Sequence, residues 1–203
     1  MSAKKPRTAA IPTIKRLPLY LRSLRDLQMQ GEVFASSAAL AKKLMFDPVV
    51  VRKDLAITGV VGTPRLGFPV DELISAIVDF LGWQNTTDAL LCGVGSLGRA
   101  LLGYSGFDQY GLRIVAAFDI NPQLIGSSER GVNVFDMAKL PTLVARMQVQ
   151  IGILTVPAEA AQSVADTMIA AGVCGIWNFT PVKLEVPDNV VIQRVDLAAS
   201  LAV

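Results

Sequence analysis

Apolar positions along the chain follow two rhythms, and the change between them divides it. Over residues 13–30 the large apolar side chains recur every three or four places, at Leu17, Tyr20, Leu21, Leu24 and Leu27. This spacing predicts an amphipathic helix, ended by Gly31. Ser36 or Ser37 can cap a shorter helix over 38–44, with Leu40, Ala41 and Leu44 as its buried side. Asp47 before Pro48 is a cap followed by a proline at the first helical position, so a third helix is expected over 48–58, stopped by Gly59. Residues 60–68 read as two short strands around a turn, a wing carrying Arg65. A last helix of this rhythm is predicted over 70–81, with Leu73, Ile74, Ile77, Val78 and Leu81 on one side.

Beyond Gly82 the helical spacing gives way to short continuous apolar runs, at 89–92, 113–118, 132–135, 151–156, 175–179 and 190–195. Each is a candidate buried strand. Helical stretches after Gly98, over 137–147 and over 157–171 separate several of them. Such alternation predicts a doubly wound parallel sheet. The expected fold is an α/β Rossmann domain over 83–203, preceded by an N-terminal winged-helix (helix-turn-helix) domain with a linker helix over 1–82.

Charge sharpens the division. Residues 1–86 carry 12 Lys and Arg against 7 Asp and Glu, a net of +5, whereas residues 87–203 carry 7 against 10, a net of −3. A basic head beside a mildly acidic body suggests that the head meets a polyanion. A short helix, a tight turn and a capped second helix form a helix-turn-helix, whose recognition helix enters the major groove N-terminal end first. That helix would present Arg52, able to read guanine or grip phosphate, and Lys53, mainly a phosphate contact. Lys42, Lys43 and Arg65 complete the candidate DNA-binding set. The same spacing also fits a three-helix protein-interaction module.

In the body, the run 89–92 leads into Gly93-Val94-Gly95-Ser96-Leu97-Gly98, a GxGxxG loop at a strand-to-helix junction. The first glycine allows the turn, the second lets a pyrophosphate approach the backbone, and the third lets helix and strand pack closely. The helix N-terminus would supply free N–H groups for the phosphates. Asp119 ends the next strand, 21 residues past Gly98, where an acid grips the adenosine ribose hydroxyls and repels a 2′-phosphate. NAD(H) is the expected cofactor. Thr155, Val156, Pro157 and Asn178 stand at later strand ends and are candidates to line its nicotinamide side.

No histidine occurs in the sequence, so the commonest general base and metal ligand is missing. No catalytic residue and no metal site is expected. A small NAD-dependent oxidoreductase stays open as a second reading, with Tyr104 as a conceivable acid, although no Tyr-x-x-x-Lys pair follows it. Cys92 and Cys174 form no CxxC pair, no apolar run is long enough for a membrane span, and the polar, basic start gives no sign of a signal peptide. These features fit a reducing cytoplasm.

From Ile11 to Leu201 the chain resembles the Rex family of redox-sensing transcriptional repressors. The resemblance rests on Ile11-Pro12, Lys15-Arg16-Leu17-Pro18-Leu19-Tyr20, Val51-Arg52-Lys53-Asp54-Leu55, the loop from Gly93 to Gly98, Phe118-Asp119, Ile153-Leu154-Thr155-Val156-Pro157, Asn178-Phe179-Thr180-Pro181 and Val195-Asp196-Leu197. It implies a homodimer whose winged-helix heads bind a palindromic operator and release it when NADH, rather than NAD+, fills the Rossmann site. It implies that Arg52 and Lys53 contact DNA. Arg22, Tyr104 and Asp196 match residues that exchange partners with ligand state, and Tyr104 is also placed at the cofactor. Two departures stand out. The family's wing carries a basic pair before a Gly-x-Gly-Tyr turn, where this chain has Thr63-Pro64-Arg65-Leu66-Gly67-Phe68. The family ends in a helix swapped between subunits, and here seven residues follow Asp196.

Overall fold

The computed structural model describes residues 9–195, which fall into two compact units divided between Asn85 and Thr86. In the first unit, α1 (Ile11–Met29) opens with Pro12 in its first turn, where the missing N–H is harmless. It buries Leu17, Tyr20, Leu21 and Leu24. After β1 (Phe34–Ala35), the Ser36 hydroxyl accepts the Ala39 N–H at 3.0 Å and starts α2 (Ser37–Leu44). The Asp47 carboxylate accepts the Val49 N–H at 2.7 Å and starts α3 (Pro48–Ala56). The helix-turn-helix pair is thus set by two side-chain caps, both of the residue types that favour this position. After β2 (Phe68–Pro69), α4 (Val70–Leu81) packs its Val70, Leu73 and Ile77 face into the same core as α1, and Trp83 lies against it.

The wing differs from the sequence expectation. Instead of two strands around a turn, residues 63–67 form one closed turn: the Thr63 N–H donates to the Gly67 carbonyl at 2.6 Å and the Gly67 N–H donates back at 2.9 Å. The chain then pairs at once with β1, Ala35 opposite Phe68 and Phe34 opposite Pro69. Gly67 (φ +105°) lets this happen, since a Cβ there would lie 2.9 Å from the Ser36 Cα. The backbone is therefore diverted to β1 before a longer hairpin can form.

The second unit is a seven-stranded sheet. Its strands are β3 (Thr87–Cys92), β4 (Leu112–Asp119), β5 (Ser128–Glu129), β6 (Val132–Asp136), β7 (Ile151–Leu154), β8 (Gly175–Asn178) and β9 (Val191–Arg194). The order is β5-β6-β4-β3-β7-β8-β9, and only the edge pair β5–β6 is antiparallel. Without β5, the six parallel strands run 3-2-1-4-5-6 in chain order, the Rossmann arrangement. Helix α5 (Ser96–Leu102) covers one face, over Leu91, Ala117 and Ile153, where Trp177 and Phe179 also pack. Helices α6 (Leu140–Met147) and α7 (Ala158–Ala170) cover the other, over Leu90, Phe118, Leu154 and Ile176. Two short 3-10 turns and β5 were not anticipated. The predicted helix over 137–147 splits, because the Asp136 carboxylate caps a 3-10 turn (Met137–Lys139) ahead of α6. No helix among the described residues is long and apolar enough to cross a membrane.

Candidate functional site

In an open α/β sheet the crevice lies where the chain's direction across the sheet reverses, here between the C-terminal ends of β3 and β7. The glycine loop leaves β3 at this point. Gly93 is left-handed (φ +98°), and a Cβ on it would sit 2.6 Å from the Thr155 carbonyl oxygen at the end of β7. A Cβ on Gly98 would overlap the Gly93 carbonyl oxygen, so α5 approaches the strand only because that position is bare. Gly95 is different: a Cβ there would meet nothing within 4 Å. It opens α5, and no side chain caps the helix's first turn. Space and free N–H groups therefore face the crevice together.

Asp119, at the end of β4, is tied to this loop. Its Oδ2 accepts the Val94 N–H at 2.6 Å and its Oδ1 accepts the Asn121 N–H at 2.8 Å. The Val94 side chain is buried in the core, so only its backbone belongs to the site. The Thr155 hydroxyl lies 3.0 Å from the Cys92 carbonyl and 2.8 Å from that of Gly93, pinning the β3 and β7 ends together. Burial first, and the nearby Asp119 charge second, push the Cys92 thiol well above its ordinary range, which leaves it unreactive. Val156 is half-buried and Pro157 is exposed at the start of α7.

Asn178 does not present its amide to the crevice. It is buried, donates to the Val182 carbonyl at 2.8 Å, and accepts from the Thr180 N–H and hydroxyl at 2.8 and 2.7 Å. It shapes the loop after β8. Tyr104 follows α5 and is 55% exposed, its ring edge-on to Phe107 at 4.9 Å and folded over Gly106, where any side chain would displace it. It also borders a cavity of about 320 Å³ beside Leu101, Ile114, Arg113 and Arg130. That cavity lies toward the N-terminal ends of β4 and β6, away from the crevice.

In the first unit α3 turns Val51, Asp54 and Leu55 inward and leaves Arg52 and Lys53 exposed. Lys42 and Lys43 end α2, and Lys43 is held at 2.8 Å by Asp26. Arg65 stands exposed in the closed turn with φ +67°. Arg22 is exposed on α1. Asp196 lies outside the described residues.

One group escaped the sequence reading. The Asp54 carboxylate is 3% exposed and takes hydrogen bonds from three residues of α1. The Thr13 hydroxyl reaches it at 2.8 Å, Arg16 at 2.6 and 2.9 Å through two nitrogens, and the Tyr20 hydroxyl at 2.7 Å. The signal was present in the spacing. Asp54 falls on the same helical stripe as Val51 and Leu55, so an acid was headed for the core and needed partners. Burial alone would raise its pKa, but the bonds from Arg16, Tyr20 and Thr13 outweigh burial and hold the carboxyl below the usual range. Such a group contributes stability that is complete above about pH 4, the ordinary aspartate region, and is lost as the pH falls through the lowered value. Thermal melts at decreasing pH are therefore expected to show the parent losing stability more steeply than an Asp54→Asn chain. Equal slopes would contradict this.

The comparisons with known proteins follow the same division. A family described as "Putative DNA-binding protein N-terminus" matches residues 10–56, and one described as "CoA binding domain" matches residues 84–182. The redox-sensing transcriptional repressor Rex of Bacteroides fragilis is 44% identical over 192 residues, covering 95% of this chain and 87% of that protein. A solved structure of RSP, itself described as a Rex-family repressor, in complex with beta-NAD+ and operator DNA is 36% identical, with a TM-score of 0.91. That match covers 96% of this chain and 90% of the other. RSP in complex with beta-NADH is 35% identical with a TM-score of 0.87, covering 96% and 91%.

Proposed function

Because the chain belongs to the Rex family of redox-sensing transcriptional repressors, we propose that it binds operator DNA through its basic head and releases it when NADH fills the glycine-loop crevice. Among the described residues, 9–85 form the DNA-binding domain with its linker helix, and 86–195 the cofactor domain, a boundary three residues later than the spacing at Gly82 suggests. The observation that carries this reading is the crevice itself. Bare space over Gly95, uncapped N–H groups at the start of α5 and a loop-bound carboxylate at the end of β4 make a dinucleotide cradle.

The backbone from Gly93 to Gly98 takes the pyrophosphate. Asp119 uses one lone pair of each oxygen on Val94 and Asn121, which leaves others for the two ribose hydroxyls. Thr155, Val156 and Pro157 wall the nicotinamide side, and Asn178 acts indirectly by fixing the loop after β8. Arg52, Lys53, Lys42 and Arg65 meet DNA, with Lys43 weakened by its bond to Asp26. Arg22, Tyr104 and Asp196 carry the exchange between ligand states. A homodimer on a palindromic operator and a cytoplasmic setting complete the reading.

The dinucleotide is read, not consumed. Bound nicotinamide supplies the signal, since reduction removes its positive charge. NADH releases DNA only as far as it prefers the DNA-free form. Moving the chain from 99% to 1% bound takes about a 10⁴-fold difference in affinity. The test is to titrate a duplex, selected by the chain from a randomised library, at several NADH/NAD+ ratios. Affinity should fall as the ratio rises, and indifference to the ratio would sink the reading. Asp119→Ala removes the carboxylate that grips the ribose. It is expected to weaken NADH binding by about 10- to 100-fold, the worth of charged hydrogen bonds. It should also narrow the preference over NADPH. Fluorescence titration of both nucleotides checks this, and an unchanged preference would count against Asp119.

A further inference from the structure

We infer that Asp54 is a positioning residue for operator recognition: its carboxylate fixes the rotation of α3 about its own axis against α1, and so decides where Arg52 and Lys53 point. The inference rests on the reading that α3 enters DNA. Helix α3 has nine residues, and Val51 and Leu55 are its fully buried apolar anchors. Two smooth side chains on so short a helix resist sliding but leave rotation soft. Four hydrogen bonds from Thr13, Arg16 and Tyr20 converge on both oxygens of Asp54 and remove that freedom. The Tyr20 ring also meets Phe46 edge-on at 6.0 Å, in the turn that leads into α3. Helix α1 thus holds both the approach to the recognition helix and its C-terminal turn.

The lever arm makes the rotation matter. Side chains reach about 6 Å from a helix axis, so a 10° turn moves their tips by about 1 Å. A bidentate contact to a base edge tolerates less than that, whereas a phosphate contact by a flexible lysine adjusts. Loss of the joint should therefore cost recognition more than general DNA affinity. The clamp has a second effect on the same surface. An acid next to Arg52 and Lys53 would repel phosphates if it were exposed. Buried against Arg16, its charge is matched within the head.

The test uses the full chain at a temperature where circular dichroism shows every variant folded. Asp54→Asn and Arg16→Gln are compared with the parent on the selected operator duplex and on a scrambled duplex of equal length. Arg16→Gln alters α1 and leaves the sequence of the recognition helix untouched. Both variants are expected to lose about tenfold or more on the operator, within the worth of one base-reading pair. On the scrambled duplex the change should stay under about twofold, and NADH binding should be unaltered. A merely structural defect would weaken both duplexes alike. Overturning results are a parental operator-to-scrambled ratio in either folded variant, or equal losses on both duplexes. If Asp54→Asn does not fold, Arg16→Gln decides. A parent chain that does not prefer the operator would instead overturn the reading of α3 as a DNA-binding helix.

Discussion

A Gly95→Ala chain is expected to fold like its parent and to lose NADH. The position has an ordinary backbone (φ −73°), and an added methyl group meets nothing within 4 Å. Folding stability should hold or rise slightly, because alanine loses less chain entropy than glycine, an effect of about 0.4–1 kcal/mol. The methyl group nevertheless occupies the space through which a pyrophosphate reaches the uncapped N–H groups of α5. Each charge-assisted hydrogen bond is worth about 1.5–3 kcal/mol, so the loss of one or two weakens NADH by about 100-fold. A thermal melt and a fluorescence titration on one preparation separate the two effects. Gly98→Ala offers the contrast: its Cβ overlaps the Gly93 carbonyl, so the fold itself suffers. Parental affinity in Gly95→Ala would mean that the dinucleotide does not lie over this loop.

The second large effect belongs to the head. Replacing Arg52 and Lys53 together by alanine removes two exposed side chains with no ion pair among the described residues, so stability should stay within about 0.5 kcal/mol. Operator affinity should fall by about 100-fold, the combined worth of one base-reading and one phosphate contact. The slope of log affinity against log salt should flatten by about 1, because one phosphate contact and its released counterion are lost. NADH binding should not change. Lys43→Ala should do less, since Asp26 already engages that ammonium at 2.8 Å. Unchanged operator binding in the double variant would return the head to the protein-interaction reading.

Much of this was legible in the chain because local chemistry and fold agree there. Ser36, Asp47 and Pro48 mark the helix-turn-helix by capping alone, and GxGxxG followed by an acid marks the first βαβ unit. The rest depended on distant partners. Residues 60–68 place apolar ends around a Gly- and Pro-containing turn, as a hairpin would, yet β1 captures the returning backbone at Phe68, 33 places from Ala35. Strand β5 has two residues, too few for any periodicity. Asn178 had the right strand end for a ligand contact, but Thr180 and Val182 engage its amide first. Asp54 is the instructive miss. Beside Arg52 and Lys53 it reads as one more surface charge, until its place on the apolar stripe is noticed.

The placement of the two tryptophans gives the chain a built-in pair of optical probes. Trp83 lies against the core of the first unit and Trp177 stands on β8 of the second, between Phe107 and Phe179. A Trp177→Phe chain therefore emits from the head alone, and a Trp83→Phe chain from the body alone. With no attached dye, each half can be watched melting separately, and energy passed from Trp177 to reduced nicotinamide would time ligand arrival on the millisecond scale of a mixing experiment.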